Sequence, residues 1–479
     1  MMRIVRQLAG IAALLAAVSV PGGAQTPAID YDRLREETAQ RLSEYLRINT
    51  SNPPGNELAT ARWLKQILAK EGIEGQILDT AELGPGRANF YARLKGTGSG
   101  KAIALVHHMD VVPVSRQFWS VDPFAGLTKD GYVWGRGALD MKGQGIMELM
   151  TLIAIKRSGV PLNRDLVFIG NADEESDGLG ARVFVGRHRD LLADVEYLLT
   201  EGGDVRVEKG KVRWFGLGVG EKQVYWQKLV VKGKSSHGSV PTPDNPVPHL
   251  ARVLARIAAW ETPVRLTPAV DRFFKAQAKA ETGQHRRWLE DAAAALKSPR
   301  GRAWLLSEPE RNALLRNTIS PTVLVGSNKT NTIPAEASAE LDIRLLPDQD
   351  TVTFRRELLR VIADTSVTLS LIGDIPRRFS APLDTELARA IERTASRLVP
   401  GVPFATAVGT GASDRPYYAS AGIICYGIDP HLVELEEIRR GVHGNDERIS
   451  LKNLEFGLRL HMGILEEMQV TAKSVNGEQ

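Results

Sequence analysis

YVWGRGALDMKGQG, residues 132–145, joins a glycine-rich turn to the start of a helix. Gly135 and Gly137 allow the turn, and the helical run begins near Gly143. Asp140 is the only carboxylate in this stretch, and an aspartate directly before a helix is usually an N-cap. We predict a different role, in which Asp140 bridges two metal ions, because residues with ligand chemistry recur after apolar strands in the rest of the chain.

Apolar strands and helices alternate in the part of the chain before residue 220. The predicted strands are 88–94, 102–107, 165–170 and 196–199. The predicted helices are 33–46, 58–70, 145–157 and 181–188. This order predicts an α/β domain with a largely parallel sheet, in which functional residues collect where strands end and loops begin.

The pattern changes near Gly220, where a second and smaller module begins. Its predicted elements are, in order, strand 223–232, helix 247–260, strands 318–325 and 337–345, helix 351–362 and strand 367–372. This βαββαβ order predicts a compact α+β domain, residues 220–376, inserted into the larger domain. The larger, catalytic domain is then formed by residues 30–219 and 377–479.

A charged helical segment, residues 262–316, lies within the smaller module. Thr267 and Pro268 provide an N-cap and a first-turn proline for one of its helices. No residue in this segment indicates chemistry. We therefore expect it to be structural or to form a wall of the substrate cleft.

The first 24 residues have the composition of a secretory signal peptide. Arg3 and Arg6 precede the apolar run 8–20, which ends at the small residues 21–24. This run is too short to cross a membrane, since a spanning helix takes about 20 apolar residues. We expect cleavage after Ala24, a periplasmic or secreted protein, and no membrane attachment after cleavage.

The charge and the cysteine content weigh against a nucleic-acid-binding protein and against a protein held together by disulfide bonds. The net charge is +4 and no basic run is present, so a nucleic-acid partner is not expected. Cys425 is the only cysteine, so no intramolecular disulfide can form. Its apolar surroundings indicate a core residue rather than a nucleophile.

Histidines and acids with the character of metal ligands follow several of the predicted strands. His108 ends one strand, and the carboxylate of Asp110 can accept its second ring N–H because residues i and i+2 of a strand share a face. Four acids in 173–177 follow a second strand, Glu201 follows a third, and His443 lies near the end of the chain. Taken singly, these residues are also explained as polar strand ends or as a solvated acidic loop.

Together these residues include the two histidines and three carboxylates that a paired zinc site requires, with the metals ~3.5–4 Å apart. The set consists of His108, Asp140, Glu175, Glu201 and His443. One carboxylate must bridge, which leaves one histidine and one further carboxylate for each ion. Glu174 is then free beside a ligand, and we predict that it acts as the general base.

Five short motifs in order along the chain resemble metallopeptidase family twenty. They are His-x-Asp at 108–110, GRGALDMKG at 135–143, the glutamate pair 174–175, Glu-Gly-Gly at 201–203, and Gly-x-His-Gly-x-x-Glu at 441–447. That family includes glutamate carboxypeptidase, aminoacylase and carboxypeptidase S, and the resemblance is greatest to the carboxypeptidase S branch. It implies a zinc-binding α/β domain interrupted by a lid and dimerisation domain.

The resemblance also assigns roles to the residues of the site. It implies that His108, Asp140 and Glu201 bind one zinc, and that Asp140, Glu175 and His443 bind the other, with Co²⁺ or Mn²⁺ as possible substitutes. Asp110 would orient His108, and Glu174 would be the base. The family often has Asp where Glu201 stands, whereas Glu is typical of its aminoacylase and carboxypeptidase S branches. A cis peptide bond is implied after the bridging aspartate, at Asp140–Met141.

The resemblance implies a homodimer formed through the lid and three substrate contacts, two of them in the lid and one, Gly411, in the catalytic domain. His237, in the loop 235–239, would reach the active site of the partner subunit, although a turn also explains this loop. Asn331 and Arg344 would bind substrate, and Arg344 can grip a carboxylate with two parallel hydrogen bonds. A surface salt bridge is the ordinary alternative for Arg344. Gly411 would bind the same carboxylate through its backbone N–H.

The predicted function is metal-assisted hydrolysis of an amide bond next to a free carboxylate, as a carboxypeptidase acting on peptides. The alternative enzyme is an N-acyl-L-amino-acid amidohydrolase, since both reactions release a product with a free α-carboxylate. An inactive metal-dependent binding protein is the alternative outside the enzymes, and it would need neither Glu174 nor His237. Serine hydrolases and single-zinc proteases are disfavoured because the chain has neither a Gly-x-Ser-x-Gly nor a His-Glu-x-x-His motif.

Overall fold

The computed structural model describes residues 29–376 and 378–468, and the predicted signal peptide lies outside them. The helices of the described residues are α1 Tyr31–Leu46, α2 Glu57–Lys70, α3 Lys142–Ser158, α4 Leu179–Arg187, α5 Arg189–Leu192, α6 Pro246–Ala258, α7 Pro268–Ala278, α8 Gly283–Glu290, α9 Ala292–Lys297, α10 Pro299–Ser307, α11 Pro309–Leu314, α12 Thr351–Ile362, α13 Glu386–Leu398, α14 Arg415–Ser420, α15 Leu435–Gly441 and α16 Leu451–Glu467.

The strands of the same residues are β1 Gly75–Leu78, β2 Asn89–Leu94, β3 Gly100–His108, β4 Leu127–Lys129, β5 Tyr132–Trp134, β6 Arg164–Asn171, β7 Val195–Thr200, β8 Asp204–Glu208, β9 Lys211–Glu221, β10 Gln223–Val224, β11 Gln227–Lys232, β12 Ser236–His237, β13 Thr318–Val325, β14 Thr332–Ile333, β15 Glu336–Leu345, β16 Thr368–Leu371, β17 Phe404–Gly409, β18 Ile424–Gly427 and β19 Arg448–Ser450.

A large mixed sheet has the strand order β1-β2-β6-β3-β7-β18-β9-β17, with β8 paired to β9. The central pairs β6–β3, β3–β7 and β7–β18 are parallel. The pairs β1–β2, β2–β6 and β18–β9 are antiparallel. The predicted α/β class with a mixed sheet is confirmed, and besides the central pairs the end strand β17 also pairs in parallel with β9. The carboxyl ends of β3, β6 and β7 therefore meet at one edge of the sheet.

Helix α3 is the central helix of the large layer. Residues 142–155 are all buried, because α3 packs on β3 and β6 and is covered by α1 and α16. A helix that is buried on every side, as α3 is over these residues, must be enclosed in this way. The burial fixes the first turn of α3, and with it the loop that precedes residue 142.

A second, antiparallel sheet forms the smaller module. Strand β15 lies between β13 on one side and β10 and β11 on the other, and β16 pairs with β11. Helices α6 and α12 pack on it through a separate apolar core that includes Leu229, Val253, Leu341, Phe354 and Leu358. Apart from the short strands β12 and β14 and the helices α7–α11, the elements follow the predicted βαββαβ order, with the first strand interrupted between β10 and β11.

The helical segment 262–316 lies in the smaller module by sequence but packs elsewhere in space. Helices α7–α11 form an apolar core with Trp214 of β9 and with Ala405 and Ala407 of β17. They therefore cover the β17 end of the large sheet, which would otherwise expose an apolar face and an unpaired edge. Thr267 caps α7 by accepting a hydrogen bond from the Val270 N–H (3.3 Å), as predicted.

Two further sequence-based expectations concern the membrane and the cysteine. Among residues 29–376 and 378–468, no helix has both the length and the apolar character needed to cross a membrane. Cys425 is fully buried in β18, and burial raises the pKa of its thiol. A buried, protonated thiol is unsuited to nucleophilic attack, so the structure agrees with a core role for Cys425.

Candidate metal centre

The large sheet and the loop before α3 bring the five predicted ligands into two overlapping groups. One group is His108, Asp140 and Glu201, and the other is Asp140, Glu175 and His443. Within each group the ligand atoms all lie within 4.8 Å of one another. These are the two groups that the family resemblance implied, and Asp140 belongs to both.

The two carboxylate oxygens of Asp140 point at different histidines. Oδ1 lies 3.2 Å from His108 Nε2, and Oδ2 lies 3.2 Å from His443 Nε2. Glu175 Oε2 lies 3.0 Å from the same nitrogen of His443, and Glu201 Oε1 lies 3.8 Å from His108 Nε2. This is the arrangement expected of a carboxylate that bridges two ions, each with one histidine and one further carboxylate.

The backbone of the loop turns the Asp140 side chain away from the helix that follows. The N-cap residue of α3 is Met141, and no side chain caps the helix. Asp140 is therefore not an N-cap, in contrast to the usual role of an aspartate at this position. The peptide bond Asp140–Met141 is cis, as the family resemblance implied.

Glu447 holds the loop before α3 in place, and reasoning from single residues of the sequence missed it. It is fully buried and accepts hydrogen bonds from the N–H groups of Gly137 (2.9 Å), Leu139 (2.7 Å) and Asp140 (3.1 Å). Arg136 Nη1 donates a fourth bond to Glu447 at 2.7 Å. The available indication was its place as the last residue of the motif that contains His443.

Asp110 contacts His108 through its backbone carbonyl oxygen, whereas the prediction had assigned this contact to its carboxylate. The ring Nδ1–H of His108 donates to the backbone carbonyl of Asp110 (3.0 Å), whereas the nearer carboxylate oxygen lies at 3.6 Å. The Asp110 carboxylate instead accepts from the N–H groups of Glu174 (3.1 Å) and Glu175 (3.1 Å) and from Asn52 Nδ2 (2.8 Å). Asp110 therefore orients His108 through its main chain and positions the glutamate pair through its side chain.

The ionisable side chains of the site shift one another's pKa values. Burial raises the pKa of Glu201 to about 8, with Asp140 and Glu175 adding to the shift and His108 opposing it. Burial, with a further contribution from Glu201, raises the pKa of Glu174 well above its usual value. The hydrogen bond to Asp140, followed in size by the hydrogen bond to Glu175, raises the pKa of His443 to about 10. So many buried carboxylates require positive charge nearby to remain ionised.

The donor set fits two divalent cations. Glu175 Oε1 is buried and has no hydrogen-bond partner among the described residues, although its neighbour Oε2 contacts His443. An unpartnered buried carboxylate oxygen is costly unless a ligand or ion satisfies it. Imidazole nitrogens and carboxylate oxygens are ligands that zinc accepts, and cobalt and manganese accept them as well.

The group of five candidate ligands, called here the metal cluster, borders a cavity of about 370 Å³ between the two sheets, called here the metal cavity. Its lining includes Glu174, Gly411 and Trp226, and Arg344 reaches it from β15 of the smaller module. Asp342 holds Arg344 by accepting from Nε (2.7 Å) and Nη2 (3.3 Å). A guanidinium has five N–H donors, so others remain for a ligand.

His237 and Asn331 lie outside the metal cavity of their own chain. His237 is exposed on the short strand β12, which pairs antiparallel with β14, and its Nδ1 lies 2.7 Å from Ser239 Oγ. The neighbouring Gly238 N–H donates to the backbone carbonyl of Asn331 (2.7 Å). A contribution of these two residues to a partner subunit's site stays a prediction.

Comparison with known proteins gives relatives that are similar in sequence and a solved structure that is similar in fold. The chain is 27% identical over 371 residues to the N-fatty-acyl-amino acid synthase/hydrolase PM20D1 of Xenopus tropicalis, a match that covers 76% of this chain and 71% of the relative. It is 27% identical over 363 residues to the probable carboxypeptidase S-like 2 of Dictyostelium discoideum, covering 74% and 69%. The fold is similar to that of the M20 family metallo-carboxypeptidase Sso-CP2 from Sulfolobus solfataricus, with a TM-score of 0.70, 17% identity and coverage of 91% and 99%.

A family model also matches most of the chain. The match runs over residues 104–467 and is to the family described as peptidase family M20/M25/M40. It includes each of the five residues grouped around Asp140, as well as Glu174 and Arg344. The family resemblance found in the sequence is therefore confirmed, and the protein is a hydrolase of the metallopeptidase and amidohydrolase type. The chain belongs to peptidase family M20/M25/M40.

Proposed function

We propose that the protein hydrolyses an amide bond whose amine half is an amino acid with a free carboxylate. The observation that carries this proposal is the presence of Arg344 and Glu174 in one cavity with the metal cluster. An arginine beside a hydrolytic centre selects a substrate with a carboxylate close to the scissile bond. The cavity volume of about 370 Å³ is within the usual range for small-molecule sites.

Two divalent cations held by the two ligand groups, with zinc as the proposed metal, would polarise the substrate carbonyl and make water more acidic. Glu174 takes the proton of the attacking water and returns it to the leaving amine, so the C–N bond breaks as a C–O bond forms. Its position suits this task, because its backbone N–H is held by Asp110 and its Oε2 lies 4.0 Å from His108 Nε2. Arg344 holds the carboxylate of the leaving amino acid and so orients the amide.

The first candidate reaction is that of a carboxypeptidase. The names of the Dictyostelium relative and of the Sulfolobus enzyme support it. The second candidate is hydrolysis of an N-acyl amino acid, which the name of the Xenopus relative supports. Both reactions place a free α-carboxylate on the leaving side, so the contact with Arg344 fits both.

The experiment that tests the proposal compares matched substrates with purified, zinc-loaded protein. These are an N-acetyl amino acid, a dipeptide with a blocked N-terminus, and the carboxamide analogue of each. We expect chelator-sensitive release of the free amino acid and at least tenfold slower cleavage of the carboxamides. Equal cleavage of acids and carboxamides would contradict the role given to Arg344, and unchanged turnover after complete metal removal would contradict the reaction type.

A homodimer through the smaller module is also part of the proposal. Among the described residues, strand β13 pairs only with β15, so its other edge carries backbone groups without a strand partner there. Val323, Leu324 and Val325 are 41%, 70% and 53% exposed. An exposed apolar edge strand is a template for pairing with another chain. Pairing between two copies of β13 would cover these side chains and supports the idea that His237 serves the partner subunit.

Export is proposed on the composition of residues 1–24. The expected product in a bacterial host is a periplasmic protein whose N-terminus is Gln25. N-terminal sequencing of the fractionated protein tests this expectation. A mature chain that still begins with Met1 would contradict it.

A further inference from the structure

A second cavity lies beside the metal centre, between the helical segment 262–316 and the large sheet. It has a volume of about 470 Å³ and is called here the distal cavity. Its aromatic and aliphatic walls come from β9, α7, α10, α11 and α15, and include Trp214, Phe273, Trp304, Leu314 and Ile438. Helices α7, α10 and α11 of the segment 262–316 form part of these walls, so the segment encloses the distal cavity as well as covering the end of the large sheet.

The distal cavity and the metal cavity meet the same two loops. Gly203 lines the distal cavity and follows the metal-cluster residue Glu201 by two positions, and an extended chain covers at most about 7 Å over that distance. In the second loop, Thr410 lines the distal cavity, and the next residue, Gly411, lines the metal cavity. The two linings share no residue, so the cavities are neighbours on either side of these two loops, and a substrate chain would pass between the loops to reach the distal cavity.

Most of the charged side chains in the walls of the distal cavity are paired within the protein, and two nitrogens, Nε of Arg206 and Nε of Arg311, are buried without a hydrogen-bond partner among the described residues. Arg206 contacts Glu310 at 2.6 Å, and Arg439 contacts Glu308 at 3.4 Å. Arg311 lies 4.2 Å from the ring centre of Trp304 and donates to its backbone carbonyl at 3.3 Å.

Two acids of the walls are satisfied in the same way. Asp204 accepts from Trp214 Nε1 at 2.9 Å, and Asp429 lies 2.7 Å from His431 Nδ1. A charged ligand would have to compete with these pairs and lose its own hydration, which is costly. An apolar ligand would use the aromatic and aliphatic surface that the pairs leave free.

We propose that the distal cavity receives the hydrocarbon chain of an N-acyl amino acid whose carboxylate is held at Arg344. This inference rests on the proposed function and selects the second of its two candidate reactions. The amide would lie at the metal cluster, with the amino acid toward Arg344 and the acyl chain leading past Gly203 and Thr410. The substrate class is therefore a medium- or long-chain N-acyl amino acid.

Chain length gives the inference a measurable consequence. Each methylene group buried in an apolar site contributes ~0.8 kcal/mol, which corresponds to about a fourfold increase in kcat/KM. We expect kcat/KM of the wild-type protein to rise from N-acetyl to N-octanoyl to N-dodecanoyl derivatives of one amino acid. No dependence on chain length would overturn the inference.

Two variants and a control locate the effect in the distal cavity. Ile438→Trp narrows the cavity and Trp304→Ala removes part of its wall, while Trp288→Ala changes the same residue type in the same segment outside the lining. Trp288 and Trp304 are both half-buried and their ring centres lie 5.5 Å apart, so each truncation removes one ring of the same aromatic pair. We expect the first two variants to lose at least tenfold in kcat/KM on the N-dodecanoyl substrate, with N-acetyl hydrolysis unchanged. Equal effects of Trp304→Ala and Trp288→Ala would overturn the inference.

A binding measurement separates this inference from the proposed reaction. Calorimetry with an N-dodecanoyl amino acid is carried out on the wild-type protein and on Ile438→Trp. If no N-acyl amino acid is hydrolysed, the second candidate reaction fails, but tighter binding to the wild-type protein would still support the distal cavity as the acyl site. Equal affinity for both proteins would overturn the assignment whatever the activity.

Discussion

Replacing Glu447 with glutamine should destabilise the protein and weaken metal binding together. One oxygen of Glu447 accepts from Arg136 Nη1 and the Gly137 N–H, and the other accepts from the N–H groups of Leu139 and Asp140. Glutamine keeps only one carboxamide oxygen. Whichever way it is oriented, its NH₂ group faces two donors and two hydrogen bonds are lost.

The magnitude follows from burial. Side chains Arg136 and Glu447 are 2% and 0% exposed, so the substitution leaves a guanidinium charge buried without its partner. Breaking a buried ion pair in this way costs ~3–5 kcal/mol, a large fraction of a typical free energy of unfolding of ~5–15 kcal/mol. The same change loosens the loop that carries Asp140, and loss of such a supporting contact lowers metal affinity by about 10–100-fold.

The assay is urea unfolding of the metal-free proteins, followed by zinc titration with a competing chelator. Glu36→Gln, an exposed substitution on α1, is the matched control and should change the free energy of unfolding by less than about 0.5 kcal/mol. A loss below about 1 kcal/mol for Glu447→Gln, with zinc affinity equal to that of the control, would refute the argument that this carboxylate supports the metal loop.

Four further predictions concern catalysis, substrate binding, assembly and pH. Glu174→Gln should keep both metals in elemental analysis and lose ~10²–10⁴-fold in kcat, since only the proton transfer is removed. Arg344→Met should lower kcat/KM about 10–100-fold for substrates with a free carboxylate and leave their carboxamides unaffected, as a hydrogen-bonded charge contributes ~1.5–3 kcal/mol. Leu324→Asp should give a stable monomer in sedimentation analysis, because the residue is 70% exposed on the β13 edge. Burial lowers the pKa of His461 to about 4, so the unfolded chain binds a proton at this residue more readily than the folded chain does. The contribution of neutral His461 to the free energy of unfolding is therefore complete above pH 6.5 and is lost as the pH falls toward 4. His461→Gln should reduce this acid destabilisation by about 3 kcal/mol in unfolding experiments.

Each of these predictions has an outcome that contradicts it. Metal loss in Glu174→Gln would make that residue a ligand instead of a base. Parallel losses on acids and carboxamides in Arg344→Met would indicate a general defect. A dimer that survives Leu324→Asp would move the interface away from β13, and an unchanged pH profile in His461→Gln would assign the acid sensitivity to other groups.

The residues of the metal cluster were predictable because their chemistry is local. His108, the glutamate pair and Glu201 each follow a short apolar strand, and parallel strands of one sheet end at one edge. Asp140 and His443 were predictable for a different reason, since their flanking motifs resemble those of a known family. The element order of the smaller module could be read from hydrophobic periodicity for the same local reason.

The positions that sequence reasoning missed depend on contacts between distant parts of the chain. Glu447 binds a loop about 300 residues earlier, at sequence separations of 307 to 311, and no local pattern reports such a contact. Asp110 was assigned the right neighbour but the wrong atom, because the hydrogen-bond choice of its carboxylate depends on where the loop after β6 lies. The distal cavity was invisible for the same reason, since its walls come from five elements that meet only in the folded chain.

For this protein, the sequence alone determined the chemical inventory, the α/β class and the family. These are carried by residue type and spacing, which are properties of short segments. Only the tertiary structure decided that segment 262–316 packs on the large sheet, that Arg344 of one sheet faces the metal cluster of the other, and that a second cavity adjoins the first. Burial of apolar surface is nearly non-directional, so a sequence pattern states which residues are buried but leaves open the surface against which they pack.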